Sequence, residues 1–404
     1  MTVGSLMLEY FYEKDQGLRM ESQKDRVKLN VGGNKFETTA TTLASGGRNS
    51  FFGSMFNDDW SLYSDGSITE LFIDRNPELS KWGPFDNNRL RLPEYITGTT
   101  TGKAEKIRAS PNSWCCVVRD NIVNVYNWML EEQTTITTRD YRRVNDVCWV
   151  DSNNIAVCSS DKYLASGGIG LFSASTRELK YNFQVKDEDQ LKDYTAGALG
   201  VGSDYKLFSS FTESTNKKNW IGVWDQITGK QTDFLPYWPD SEATKFQWLD
   251  SSNCLMVASC QSRSKCSINL FDFRENTVAL SWSDAMYQRI YKDAIAIEER
   301  NSICVVDSNN KLGFMDLRST TSSIEWRSST RDNPFYLYPK LAFHEGQLLS
   351  LFCDTISCGS NWVPTSQLQR SHCGWIRDFS IGGDRLFALH RYKDTFDVWE
   401  TPRP

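Results

Sequence analysis

The stretch "IGVWDQITGKQTDF", Ile221 to Phe234, decides how most of the chain reads. An alternating run ends at Trp224-Asp225, Asp and Gly mark a turn, and a second β-prone run follows, which is the pattern of a β-hairpin. Ile221 and Val223 are expected to pair with Phe234 across that turn. The pair that closes the first run, a large apolar residue and then a polar one, returns at Tyr126-Asn127, Phe172-Ser173, Phe271-Asp272, Met315-Asp316 and Trp399-Glu400. The first five of these pairs lie about 44 to 52 residues apart, and the last gap of about 84 leaves room for one degenerate copy near "GQLLSLFCDT". Seven copies fit best, and six also fit.

The copies also begin alike. "VNDVCWVDSNNIAVCS", "ATKFQWLDSSNCLMVAS", "AIAIEERNSICVVDSNN" and "IRDFSIGGDRLFALH" each read as a hairpin with Asp, Ser, Asn or Gly at its turn. Four short strands in a repeat of about 40 to 50 residues is the signature of a β-propeller blade. The expected fold over 104–404 is therefore an all-β propeller. The residues that end each third strand, Tyr126, Phe172, Trp224, Phe271, Met315 and Trp399, are expected to pack between blades rather than to touch a partner. Trp224-Asp225 resembles the WD repeat, although the Gly-His element of that family is absent.

Upstream, "DRVKLNVGGNKFETTATTLASGGRNSFFGSMF" places Val27, Leu29 and Val31 at alternate positions before Gly32-Gly33-Asn34, then resumes as Lys35-Phe36-Glu37-Thr38, a tight hairpin. Thr41-Thr42 can cap a helix whose face carries Phe51, Phe52, Met55 and Phe56. "ITELFIDRNPEL" is then a short strand, Leu71-Phe72-Ile73, and a fresh helix start at Pro77. The prediction is a small α+β module.

The motifs "VKLNVGGNKFETT", "SFFGSMF" and "LFIDRNPE", in that order, closely resemble the BTB/POZ domain of the potassium-channel-tetramerisation type. The resemblance implies homo-oligomerisation and docking to a cullin-based ubiquitin ligase. In that family the helix begun at "DRNPE" continues into further apolar helices, whereas here Lys81-Trp82-Gly83-Pro84 follows at once. Gly83-Pro84 stops any helix begun at Pro77. A module lacking those helices would leave its sheet and the Phe51/Phe52/Met55/Phe56 stripe uncovered, so it is expected to be unstable, self-associating or covered by another element. With "SKWGPFDNNRLRLPE" leading into the propeller, the order resembles plant BTB/POZ proteins with a WD-repeat-like domain. The expected organisation is a disordered leader over 1–23, a partial BTB/POZ domain over 24–80, a junction over 81–103 and the propeller over 104–404.

Composition narrows the function classes. A net charge of -6 with no basic run offers little to hold a phosphate backbone, so nucleic acid is not an expected partner. No apolar run reaches the length of a membrane helix, so no membrane association is expected and the chain reads as an intracellular protein of cytoplasm or nucleus. Eleven cysteines, mostly inside apolar runs such as "WCCVV", read as free buried thiols without a disulfide framework. The spacings of Cys254, Cys260 and Cys266, and of Cys353 and Cys358, are not those of a zinc knuckle. The three histidines, His344, His372 and His390, read as ordinary polar residues. "ASGGIGLF" and "GALGVG" lack the Lys-Ser/Thr of a phosphate loop, so no nucleotide, metal or other cofactor is assigned.

These readings point to a non-enzymatic interaction protein. Its propeller would bind a target protein, and its BTB-like segment would form homo-oligomers and reach a cullin scaffold. Val27, Leu29, Val31, Phe51, Phe52, Met55 and Phe56 are the candidate oligomerisation face. A propeller-only binding protein, shortened so that it cannot engage the cullin, is the first alternative. A propeller enzyme using acidic residues at the central channel is the second.

Overall fold

The computed structural model describes residues 26–31, 34–39, 71–73, 96–99, 103–138, 142–161, 167–187, 190–191, 194–213, 219–237, 243–260, 266–283, 291–308, 311–318, 324–327, 339–344, 346–352, 355–360, 363–368 and 375–400. The chain divides into two compact units, 1–82 with 403–404, and 83–402.

In the first unit, Arg26–Val31 is the central strand of a three-stranded sheet. It pairs antiparallel with Asn34–Thr39, Val31 opposite Asn34, so only Gly32 and Gly33 separate the strands. On its other side it pairs in parallel with Leu71–Ile73, Leu29 opposite Leu71 and Val31 opposite Ile73. Val27, Leu29 and Val31 thus occupy alternate ladder positions, while Phe51, Phe52, Met55 and Phe56 lie outside the described residues.

The second unit is the propeller, and its described strands form seven four-stranded antiparallel sheets, beside one two-stranded hairpin at Lys186–Asp187 and Gln190–Leu191. Blade 1 comprises Lys106–Ala109, Cys115–Arg119, Ile122–Tyr126 and Glu132–Thr137. Blade 2 comprises Arg142–Trp149, Asn154–Asp161, Gly167–Ser173 and Leu179–Phe183. Blade 3 runs Tyr194–Val201, Lys206–Glu213, Asn219–Asp225 and Gln231–Tyr237; blade 4 runs Ala243–Leu249, Cys254–Cys260, Cys266–Asp272 and Thr277–Ser283. Blade 5 runs Tyr291–Ile297, Ser302–Asp307, Leu312–Asp316 and Glu325–Arg327. Blade 6 runs Lys340–His344, Gln347–Phe352, Thr355–Ser360 and Val363–Gln367, and holds the degenerate copy near "GQLLSLFCDT". Blade 7 takes Ile376–Gly382, Arg385–His390 and Thr395–Glu400 from the end of the chain and Ile96–Thr99, inside the segment read as a junction, as its outer strand.

The first strand of each blade touches the first strand of the next all the way round, and Ile376–Gly382 closes on Lys106–Ala109. The first strands therefore surround the central axis. Each joint between neighbouring blades holds its own buried apolar cluster, from Val118, Val125 and Val157 between blades 1 and 2 to Phe387, Tyr126 and Ile107 between blades 7 and 1. Both faces of every sheet are thereby covered, which is how a propeller buries β-surface without long free edges.

The hairpin that opened the sequence reading differs from expectation by one residue. Phe234 stands opposite Gly222, not opposite Ile221 or Val223, because the ladder shifts between Val223 and Trp224. A one-residue slip exchanges sheet faces. Ile221 and Val223 face blade 4, whereas Phe234 packs toward blade 2 and stacks on Trp220 with ring centroids 4.5 Å apart. Gly222 is required there: an added Cβ would meet the Trp224 ring at 2.2 Å.

The cysteine reading also needs a correction. Cys115, Cys116, Cys148, Cys158, Cys254 and Cys304 are free, but Cys266 is disulfide-bonded. Cys266 opens the third strand of blade 4 directly across the ladder from Cys260. An apolar flank predicts burial but does not exclude a thiol partner. Burial pushes the Cys116 thiol up to about 12, despite the counteracting charge of Arg108, which keeps it in the unreactive thiol form.

Candidate functional site

The polar residues that close each third strand have a local task. Asn127, Ser173, Asp225, Asp272 and Asp316 each use a side-chain oxygen to accept backbone N–H groups two or three residues on, at Met129, Thr176, Ile227, Arg274 and Arg318. These side chains form the turn to the fourth strand. Arg274 and Arg318 also grip Asp272 and Asp316 through their guanidinium groups. Hydrogen bonds from Arg274 hold the Asp272 carboxyl down at about 2.

The large residue before each turn lies against the preceding blade. Trp224 and Trp399 are fully buried, in the clusters shared with blades 2 and 6, and Trp224 Nε1 donates to the Gln184 carbonyl at 3.2 Å. Met315 and Tyr126 are buried against blades 4 and 7. Phe172 and Phe271 are partly buried against blades 1 and 3. These six residues are distributed around the ring, one to a joint, and are not gathered at one place.

A different set of residues converges on the axis. Asp146, Asp293 and Asp378 stand on the first strands of blades 2, 5 and 7, and each reaches across to the following blade. Asp146 accepts from Leu199 N at 3.2 Å, Asp293 from Leu341 N at 2.8 Å and Asp378 from Ile107 N at 3.2 Å. Each carboxylate is also paired with cations. Lys106 and Arg108 both lie 3.0 Å from Asp146, Arg108 lies 2.7 Å from Asp378, Lys340 lies 3.6 Å from Asp378, and Lys245 lies 2.9 Å from Asp293. Gln247 completes a neutral version of the same link, accepting from Ala296 N and donating to Ala296 O across the joint of blades 4 and 5.

The electrostatics follow from this arrangement. Burial would raise the Asp146 carboxyl, but Lys106 and Arg108 outweigh it and hold the group at about 2. Asp378 is likewise lowered: Lys340 and Arg108 overcome its burial. Arg108, between two carboxylates, is raised although burial opposes its charge. These acids remain ionised and engaged at neutral pH, opposite to what a general acid requires. Among the described residues histidine does not join them: His390 is buried beside Asp397 within blade 7, Nε2 to Oδ2 3.2 Å, His344 ends the first strand of blade 6, and His372 lies outside the described residues. Among the described residues no group of three His, Cys, Asp or Glu could hold a metal ion, and no helix is long and apolar enough to cross a membrane.

The inner-strand carboxylates were missed in the sequence, although a signal existed. "VNDVCW", "YKDAIAI" and "IRDFSI" each place an Asp at the start of an apolar strand that opens a repeat. A charge recurring at one repeat position inside a buried strand marks a joint.

Where the first strands begin, a cavity of about 500 Å³ is lined by Lys106, Asn145, Ser160, Gly197, Ala198, Ala243 and Thr244, from blades 1 to 4. At the same end of blade 7, the guanidinium carbon of Arg391 lies 5.1 and 5.0 Å from the ring centroids of Trp375 and Tyr392, which are themselves 6.3 Å apart.

Residues 98–401 match the family described as "At2g24240-like, C-terminal beta propeller", and residues 27–81 match "BTB/POZ domain". The BTB/POZ domain-containing protein At2g24240 of Arabidopsis thaliana is 47% identical over 441 residues, covering 95% of this chain and 99% of that protein. At4g30940 from the same organism is 46% identical over 445 residues with the same coverage of each chain. Among solved structures, Chaetomium thermophilum Raptor superposes with a TM-score of 0.60 at 12% identity, over 77% of this chain and 30% of that one, a likeness of fold alone. The chain belongs to the family of BTB/POZ proteins that carry an At2g24240-like C-terminal β-propeller.

Proposed function

We propose that this protein is a non-enzymatic adaptor of cytoplasm or nucleus. Its propeller holds a target protein, and its BTB/POZ segment forms homo-oligomers and delivers the target to a cullin-based ubiquitin ligase. The observation that carries this reading is the pairing, in one chain, of a BTB/POZ match over 27–81 with a propeller match over 98–401. The non-enzymatic part is supported by the axial carboxylates, each committed to cations and a backbone N–H. The blade-end residues Tyr126, Phe172, Trp224, Phe271, Met315 and Trp399 serve the ring, and Val27, Leu29 and Val31 serve the BTB sheet.

A second reading has its own support. An alignment of 441 positions with At2g24240 is longer than this 404-residue chain, so that relative carries positions with no counterpart here. If those positions include the helices missing after Ser80, the chain is a propeller-only binding protein that competes with a longer form. The test is retention of a purified cullin by this chain, beside a variant in which the helices are restored. Equal retention supports the adaptor; retention by the restored variant alone supports the propeller-only reading and defeats the adaptor.

A further inference from the structure

We infer that the propeller's target is engaged through an acidic, extended peptide segment. It would bind at the axial end where the first strands begin, anchored on Trp375, Arg391 and Tyr392 of blade 7. This names the partner chemistry for the target-binding half of the proposed function and is independent of the cullin.

Two separate observations carry the inference. The first is charge. Among the described residues of the axial network, the carboxylates Asp146, Asp293 and Asp378 are buried in the joints, with side chains 10%, 6% and 4% exposed. Their partners Lys106, Arg108, Lys245 and Lys340 are 33%, 24%, 30% and 35% exposed, and they outnumber them. The charge that this lining presents to solvent is therefore positive, in a chain whose net charge is -6. A recessed lining of one sign focuses its field on ligands of the opposite sign. Lys106 places part of that charge in the wall of the open cavity.

The second observation is the cluster on blade 7. Trp375 directly precedes the first strand and Arg391 and Tyr392 directly follow the second, so all three sit at the end where the first strands begin. The backbone locks them together, Arg391 N donating to the Trp375 carbonyl at 2.8 Å. Trp375 is 37% and Tyr392 72% exposed, large apolar surface left in water. Trp, Tyr and Arg are the residues enriched at binding hot spots. The rings of Trp375 and Tyr392, 6.3 Å apart, and the guanidinium beside both form one compact patch, which limits the side-chain freedom lost on binding. An acidic peptide satisfies both features at once: its side chains meet the cations and its backbone lies over the rings.

The test is fluorescence anisotropy of the full chain with fluorescein-labelled deca-glutamate, beside deca-lysine and an oligodeoxythymidylate. Deca-glutamate should bind, and its Kd should rise about tenfold between roughly 50 and 200 mM salt. Tyr392→Ala should weaken binding about fivefold or more with an unchanged melting temperature, and Trp375→Ala should do the same. Ile227→Ala, at an exposed residue of the turn at the opposite end of blade 3, should leave Kd unchanged. No binding, equal binding of deca-lysine, tighter binding of the oligonucleotide, or insensitivity to both aromatic substitutions would overturn the inference. Failure here leaves the cullin pull-down unaffected, and failure there leaves this result unaffected.

Discussion

Among the described residues, the joint between blades 7 and 1 and the joint between blades 5 and 6 show different contacts within the same ring. Between blades 5 and 6, Ile297, Cys304, Val306, Phe314, Leu341 and Leu348 form the apolar cluster, and Asp293 reaches across to Leu341 N. Between blades 7 and 1, an aromatic cluster of Tyr126, Phe387 and Phe396 is joined by many polar crossings. Asp378 takes Ile107 N and Arg108, Ser380 Oγ takes Ala109 N, Ser113 bonds Asp384, and Arg385 reaches the Trp128 carbonyl. The difference tracks chain connectivity. Blades 5 and 6 follow one another along the chain, whereas blade 7 is assembled from both ends, so closing it costs loop entropy that side-chain contacts must offset.

The largest way to break this contrast is Arg108→Ala. It leaves Asp146 and Asp378 buried without their shared guanidinium and should cost about 3–5 kcal/mol in urea unfolding. A loss below about 1 kcal/mol would mean that the joint does not depend on the ion pairs. Acid comes next. Asp146 is held at about 2, below its unfolded value, so its stabilisation is complete above about pH 4 and drains as pH falls toward 2. A shift of this size corresponds to roughly 2–3 kcal/mol, so Asp146→Asn should flatten the stability-versus-pH curve across that window.

Gly98→Ala tests the seam itself. Gly98 stands opposite Phe396, and an added Cβ would fall 1.9 Å from its ring, so the substitution should cost about 1–3 kcal/mol and loosen Ile96–Thr99 first in hydrogen exchange. Asp293→Asn, in the joint of blades 5 and 6, keeps an acceptor for Leu341 N while losing the charge that faces Lys245. A loss of about 1–2 kcal/mol is expected, smaller than for Arg108→Ala, and the reverse order would overturn the ranking of the two joints.

Much of this architecture is legible in the sequence because the repeat writes it several times. Trp224-Asp225, Phe271-Asp272 and Met315-Asp316 mark third strands because one local geometry, a buried side chain and then a turn-forming carboxylate, is required at each. Blade 6 is harder to read because its third strand ends at Gly359-Ser360 without the aromatic. The register of Phe234 is hidden by a one-residue ladder shift, which leaves no mark in alternation. The axial network is the least legible part: Arg108 and Asp378 meet only when the ring closes, and their separation along the chain carries no periodic signal. Trp375 and Tyr392 become neighbours more locally, through the hairpin pairing of Ile376 with His390 beside them.

The seam in blade 7 also sets an order of events at the ribosome. Ile96–Thr99 is made before any complete blade, yet its partner Thr395–Glu400 is synthesised only after blades 1 to 6. Blades 1 to 6 can stack in turn as they emerge, but this outer strand waits throughout elongation with its backbone groups unpaired, a period in which sheet edges attract wrong partners. Nascent chains stalled before Thr395 should therefore be more protease-sensitive and chaperone-bound than chains that extend past Glu400.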